Sequence, residues 1–193
     1  TLPWFVRTSS TGVNNKTNNT YATIDPTALT ARPNMIADLS DSTHSLMASN
    51  ITKDLKADGR TWIAGQMGTL RYDPSESSPT MDQKTNLYTL AIGHDQTVAE
   101  NYRVGMMIGY NRADLNTGSL YSDLYANSYK NSSTGGFASL YANTKVDFLD
   151  IDAGISAGIQ RNNDTRFVND NLKWWGISYA NSKYDSQWVS PSI

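Results

Sequence analysis

Between Val146 and Gln160 apolar and polar residues alternate without a break. Leu149, Ile151, Ala153, Ile155, Ala157 and Ile159 take one phase; Asp150, Asp152, Gly154, Ser156, Gly158 and Gln160 take the other. Successive side chains of a strand point to opposite faces, so this stretch predicts a strand with one aliphatic and one polar or bare side. The same period recurs upstream. Tyr88, Leu90 and Ile92 share a face of a strand over 86–95. Tyr102, Val104, Met106, Ile108 and Tyr110 share a face of a strand over 102–111, with Arg103, Gly105, Met107, Gly109 and Asn111 opposite. Further strands are predicted at 60–72, where the phase is ambiguous, at 128–143, which contains Gly135-Gly136 and Phe137, and from 176 onward. Turns are expected at Asp95-Gln96 and Thr144-Lys145, and longer polar loops at 73–79, 112–127 and 162–175.

One segment has the other period. After Asp25-Pro26, a cap followed by a proline tolerated in the first turn, Ile36, Leu39, Leu46 or Met47, Ile51 and Leu55 fall near helical spacing. Pro33 is expected to delay or kink this helix. Its apolar stripe is narrow, with Thr43 and Asn50 filling gaps, and fits a helix wetted on most sides. Asp58-Gly59 supplies the stop. Residues 1–21 form a polar tract crowded with Asn14, Asn15, Asn18 and Asn19, read as an extended linker.

The chain has 193 residues, 38% of them hydrophobic, and no apolar run long enough for a transmembrane helix. Barrel strands carry a weaker signal, so a membrane location stays open. A net charge of −2 gives no footprint for nucleic acid. Without cysteine there are neither disulfides nor thiolate metal sites. TLPWFVRTSS lacks the regions of a signal peptide. Abundant Tyr, Gly, Asn, Ser and Thr suit strands with polar loops.

Candidate chemistry is thin. His44, near Asp38 and Asp41, allows a metal site on paper, but a solvated helix position explains it as well. Asp150 and Asp152 share a face at a spacing any strand gives. Neither a G-x-S-x-G elbow nor a phosphate loop follows a strand. No cofactor is expected. Loop lengths say more: short connections after the second and fourth strands and long ones after the first, third and fifth match an up-and-down outer-membrane barrel. Gly93, Gly105, Gly109, Gly154 and Gly158 recur on the polar phase. They predict either bends that let the sheet curl or bare walls that leave room for an internal helix.

In order, TIDPTAL, ADLSDSTHSLMASNITKDL, RTWIAGQMGTLRYD, NLYTLAIGHD, GMMIGYNRADL, GGFASLYAN and YANSKYD resemble the translocator domain of type V autotransporters, over roughly residues 20–193. The resemblance implies a monomeric barrel of about a dozen strands in the bacterial outer membrane, with a helix through its pore and a secreted passenger on the N-terminal side. Such a domain is not an enzyme; any activity would lie in the passenger. A self-cleaving subgroup uses a helix asparagine and lumen acids; Asn34 and Asn50 lie on the helix here, but that subgroup's junction motif is absent.

The expected fold is an all-β membrane barrel, antiparallel and up-and-down, with an N-terminal α-helix in the lumen. Residues 1–24 are the linker from the passenger, 25–58 the pore-spanning helix, and 59–193 the first six or so strands of the barrel. Six tilted strands do not close around a helix ~10 Å across, so a partial barrel with an open edge is expected. Expected partners are outer-membrane lipid, the chain's own passenger and the barrel assembly machinery (BAM complex), the last by edge-strand pairing that holds a partial barrel during assembly. The pore helix would present Asp38, Leu39, Asp41, His44, Met47 and Ile51. The lumen side would carry Gly93, Asp95, Arg103, Gly105, Gly109, Asp150, Asp152, Gly154 and Gly158. The lipid side would carry Leu90, Ile92, Val104, Met106, Ile108, Leu149, Ile151 and Ile155. The competing functions are a non-translocating outer-membrane barrel and a soluble secreted β-sandwich that binds a ligand.

Overall fold

The computed structural model describes residues 5–9, 20–23, 27–51, 59–73, 82–117, 129–146, 148–170 and 177–193. Two short strands, β1 (Phe5–Ser9) and β2 (Thr20–Thr23), precede a 24-residue helix, α1 (Thr27–Asn50). Six long strands follow: β3 (Arg60–Tyr72), β4 (Gln83–Ala99), β5 (Tyr102–Thr117), β6 (Tyr129–Val146), β7 (Leu149–Asp170) and β8 (Ile177–Ser192). Each of the six pairs antiparallel with the next, an up-and-down sheet. Among the described residues β3 and β8 do not pair, so the sheet is open.

The strands run longer than the alternation predicts. β5 continues to Thr117 and β7 to Asp170, through stretches expected to be loops. On β5 the apolar phase changes sides, with Ala113 and Leu115 buried against the helix while Arg112 and Asp114 point outward; on β7 Asn162, Asn163 and Asp164 make both faces polar while the ladder goes on. The turns shift as well. β4 passes Asp95-Gln96 and ends at Ala99, with a bulge between Thr97 and Ala99 and a turn at Glu100-Asn101. β6 passes Thr144-Lys145 and ends at Val146. The polar N-terminal tract, expected as bare linker, contributes β1 and β2, with Thr23 opposite Asn169 of β7. Asn169 also faces Ile177 of β8, so β2 lies on the β6 side of β7.

α1 runs on past Pro33, which sits on the exposed side and leaves one intrahelical bond unmade. Asp25-Pro26, Leu55 and Asp58, the expected start, last apolar turn and stop, lie outside the described residues. So do Asp147 and residues 74–79. The helix is less wetted than its narrow stripe predicts. Ala31, Met35, Asp38, Leu39, Ser42, Thr43, Leu46 and Met47 are all buried, and they share one side. The small polar members reach this state because they find partners. Thr43 donates to the Leu39 carbonyl at 2.8 Å, and Ser42 pairs with Thr89 of β4 at 2.9 Å.

The helix runs against one face of the sheet only. Its first half joins Leu87, Ala113, Leu115 and Tyr129 in one core cluster. Its second half joins Trp62, Ala91, Met107, Phe137, Tyr141 and Trp188 in another. Trp62, on the helix side, settles the phase of β3. Between the two clusters the wall is polar and self-paired, as in Gln160 donating to Asn111 at 2.5 Å and Asn162 donating to Ser186 at 2.9 Å. Close to the β4–β5 turn, Arg103 and Asp95 form an ion pair in which both side chains are 0% exposed. Removing either partner strands a buried charge, so Arg103→Ala or Asp95→Ala should each cost roughly 3–5 kcal/mol of stability. The double variant should cost less than the two singles added together. Denaturant titration of the refolded protein in detergent checks this.

Candidate functional site

The site is the interface between α1 and the inner wall. The two faces of the wall differ sharply. Ile63, Met67, Tyr88, Leu90, Ile92, Val104, Met106, Ile108, Tyr110, Leu140, Leu149, Ile151, Ile155, Ile159 and Val189 are all exposed on the face away from the helix. Gly93, Asp95, Arg103 and Gly158 are buried on the helix side, and Gly105, Gly109, Asp152 and Gly154 are half-buried there. Asp150 shares their phase but sits at the strand end opposite Lys145, exposed. On α1, Asp38, Leu39, Met47 and Ile51 are buried, His44 is half-buried and Asp41 is exposed.

The wall glycines have a more specific reason than either expectation. Each sits directly across the ladder from an aromatic residue on the same face: Gly93 opposite Trp62, Gly105 opposite Tyr141, Gly109 opposite Phe137, Gly158 opposite Trp188. A Cβ at any of the four would come within 2.2–2.5 Å of its partner's ring, far inside van der Waals contact. The rings lie flat on the backbone of the neighbouring strand, and the glycine is the seat. Only Gly154 faces the helix itself, where a Cβ would come to 3.0 Å from Met47. The helix rests on this inlay: Leu46, Met47 and Ile51 pack on Trp62, Phe137, Tyr141 and Trp188. The room for the helix is made indirectly, by rings folded down rather than standing into the lumen.

Polar contacts at both ends and in the middle also fix the helix. At its C-terminal end Arg60 of β3 donates to the Asn50 carbonyl, one of the groups a helix terminus leaves without an internal partner. Tyr72 of β3 donates to Asp38 at mid-helix. At the N-terminal end Arg32 forms an ion pair with Asp164 of β7, donates from Nε to Tyr129 of β6 at 2.7 Å, and lies 4.9 Å from the ring centre of Tyr184 on β8. Asn34 donates to Gln83 at 3.1 Å. Among the described residues, the hydrogen bonds of the Asn34 and Asn50 side chains go to Gln83, Ser49 and the Leu46 carbonyl, not to a carboxylate. Among the described residues no group of three acidic or imidazole side chains is placed to hold a metal ion. His94 lies on the outer face and pairs with Thr61 at 2.9 Å.

Neither Arg32 nor the aromatic inlay figured among the residues the sequence pointed to. Cross-strand register would reveal the glycine–aromatic pairs, but no single strand carries it. Asp164 was hidden in a stretch that reads as loop.

An up-and-down antiparallel sheet, aliphatic outside and polar inside, with a helix held on its inner side, is the build of an outer-membrane translocator. A family model for the autotransporter beta-domain matches residues 61–193, and the chain belongs to that family. No curated protein and no solved structure matches it. Membership carries an outer-membrane β-barrel and a role in type V secretion, as a translocator and not a catalyst. Domains of this family are generally assembled by the BAM complex and carry a passenger.

The inlay is testable at single glycines. Gly158→Ala should displace Trp188 and cost roughly 1–3 kcal/mol by overpacking. Gly68→Ala is the control: on β3 nothing lies within 4 Å of an added Cβ, so stability should hold or rise slightly. Equal losses at the two sites in thermal melts would remove the seat-and-ring account.

Proposed function

We propose that this domain anchors an N-terminal passenger in the outer membrane and provides its route to the cell surface, with α1 remaining in the pore afterwards. Residues 1–24 link to the passenger, 25–58 span the pore, and 59–193 form wall strands. The observation that carries this reading is a 24-residue helix, about 36 Å long, fastened along the polar face of a sheet whose other face is exposed and aliphatic.

The aliphatic face suits lipid. On β5 the outward residues from Tyr102 to Tyr110 begin and end with tyrosine. Nine residues at ~3.3 Å each, tilted by ~40°, span roughly 23 Å, close to the apolar band of outer-membrane barrels. Leu90, Ile92, Val104, Met106, Ile108, Leu149, Ile151 and Ile155 are assigned to that band. Gly93, Asp95, Arg103, Gly105, Gly109, Asp150, Asp152, Gly154 and Gly158 are assigned to the lumen. The turn at Glu100-Asn101 and the short β6–β7 connection border the band; the polar strand extensions and the start of α1 lie at the other end. That polarity supports an orientation with the short turns periplasmic and the passenger outside. The free sides of β3 and β8 are ready templates for strand addition, and BAM is assigned as the partner that pairs with one of them during assembly.

Two outcomes are expected. An epitope placed ahead of Thr1 in the full-length protein should be digested by protease added to intact cells. A folded, membrane-inserted domain with the epitope retained inside would refute export. Leu140→Arg, in mid-band, should cost ~2–4 kcal/mol in bilayer refolding, whereas Ser132→Arg on the polar extension should cost at most ~1 kcal/mol.

A further inference from the structure

The grip on Arg32 is built by the wall, not by the helix. Tyr129 donates its hydroxyl hydrogen to Asp164 at 2.9 Å, and Asn131 donates to the same carboxylate. Asn131 also reaches the Tyr184 hydroxyl at 3.4 Å. Three strands, β6, β7 and β8, therefore orient one carboxylate and two aromatic rings through bonds among themselves. Asp164 is 0% exposed, so without a cation it would be a buried charge lacking its counterion. Arg32, at 26% exposure, is the partially wet group that enters. Its guanidinium lies over Tyr184 at 4.9 Å and Tyr129 at 5.6 Å while its edge meets Asp164 and the Tyr129 hydroxyl.

A flat cation with donors around its rim fits this arrangement; an ammonium does not. Guanidinium stacks on rings and donates along its edge, and it sheds water more easily than the ammonium of lysine. We propose that Tyr129, Asn131, Asp164 and Tyr184 form a receptor for guanidinium groups, complete before the helix arrives. Arginine side chains of a polypeptide in the pore occupy it in turn, and Arg32 is the last and permanent occupant. The receptor lies near the end where α1 begins, so a segment ahead of α1 passes it on the way out. This step rests on the export reading above; the receptor itself does not.

The test separates the two. The full-length protein carrying Arg32→Ala is refolded in detergent and titrated with ethylguanidinium, with ethylammonium in parallel. Ethylguanidinium should raise the melting midpoint by roughly 3–5 °C near saturation, and ethylammonium should leave it unchanged. Adding Asp164→Asn should abolish the rise. If Arg32→Ala does not refold, Arg32→Lys takes its place in the same titration. Equal responses to the two cations, or none to either, overturn the receptor. For transit, three arginines or three lysines are placed within residues 10–20 and surface arrival of the epitope is timed in cells. Arginines should delay arrival relative to lysines, and Asp164→Asn should erase the delay. Equal timing overturns the transit step while arrival itself leaves export standing.

Discussion

A helix of small polar residues lies against a wall of small polar residues, and the contact depends on the pairs that polar groups on both sides make. A buried hydroxyl or amide without a hydrogen bond costs more than the bond itself contributes. Here Thr43 turns back to its own helix, Ser42 crosses to Thr89, and Ser139 meets Ser156 along the wall. The same requirement governs charges. Asp95 has Arg103, and Asp164 has Arg32 with two wall donors. Apolar packing is confined to two clusters at either end of α1. Between them the interface is a mesh of short polar contacts.

That arrangement inverts the usual division of labour in a soluble domain. The aliphatic residues that would fill a core, such as Ile108, Leu140 and Ile155, stand on the outside. The inside is left to glycine, serine, asparagine and flattened aromatics. Bulk in the lumen would compete with the helix for space, and the Gly–aromatic pairs resolve the conflict. A ring seated on Gly93 or Gly158 supplies apolar surface to Met47 and Ile51 without projecting. A standing ring would fill the volume the helix needs.

The parts legible in the chain were those with a repeating period. Leu149 to Ile159 announces a two-faced strand, and Ile36 to Ile51 announces a helix at the right place. The open, antiparallel, up-and-down sheet follows from those elements and the loop lengths. What was not legible depends on register or on water. On β5 the apolar phase switches from Ile108 outside to Ala113 and Leu115 inside, and on β7 Asn162, Asn163 and Asp164 carry no alternation to read. The glycine phase of the wall was plain, yet its cause lies on the adjacent strand, in Trp62, Tyr141, Phe137 and Trp188. The burial of Ser42 and Thr43 was hidden because a sequence counts them as polar and cannot show the partners that admit them. Nothing in its sequence neighbours marks Arg32. Its role depends on Tyr129, Asp164 and Tyr184, which lie about 100 to 150 residues away along the chain and meet only when three strands align.

These fastenings also differ in kind along the helix, and the difference bears on how it comes to rest. The C-terminal half is held mostly by shape: Met47 against Gly154, Leu46 and Ile51 on the rings, with Arg60 capping the Asn50 carbonyl. Shape contacts of this kind tolerate sliding until register is found, since each is weak alone. The N-terminal half ends on a charged contact of defined direction, in which an ion pair, a hydrogen bond and a ring face must be satisfied at once. Such a contact has one position and no graded approach. A helix drawn along this wall would therefore be guided by the inlay and stopped by the carboxylate. The stop sits at the N-terminal end of α1, where a pull on the preceding chain would arrive first.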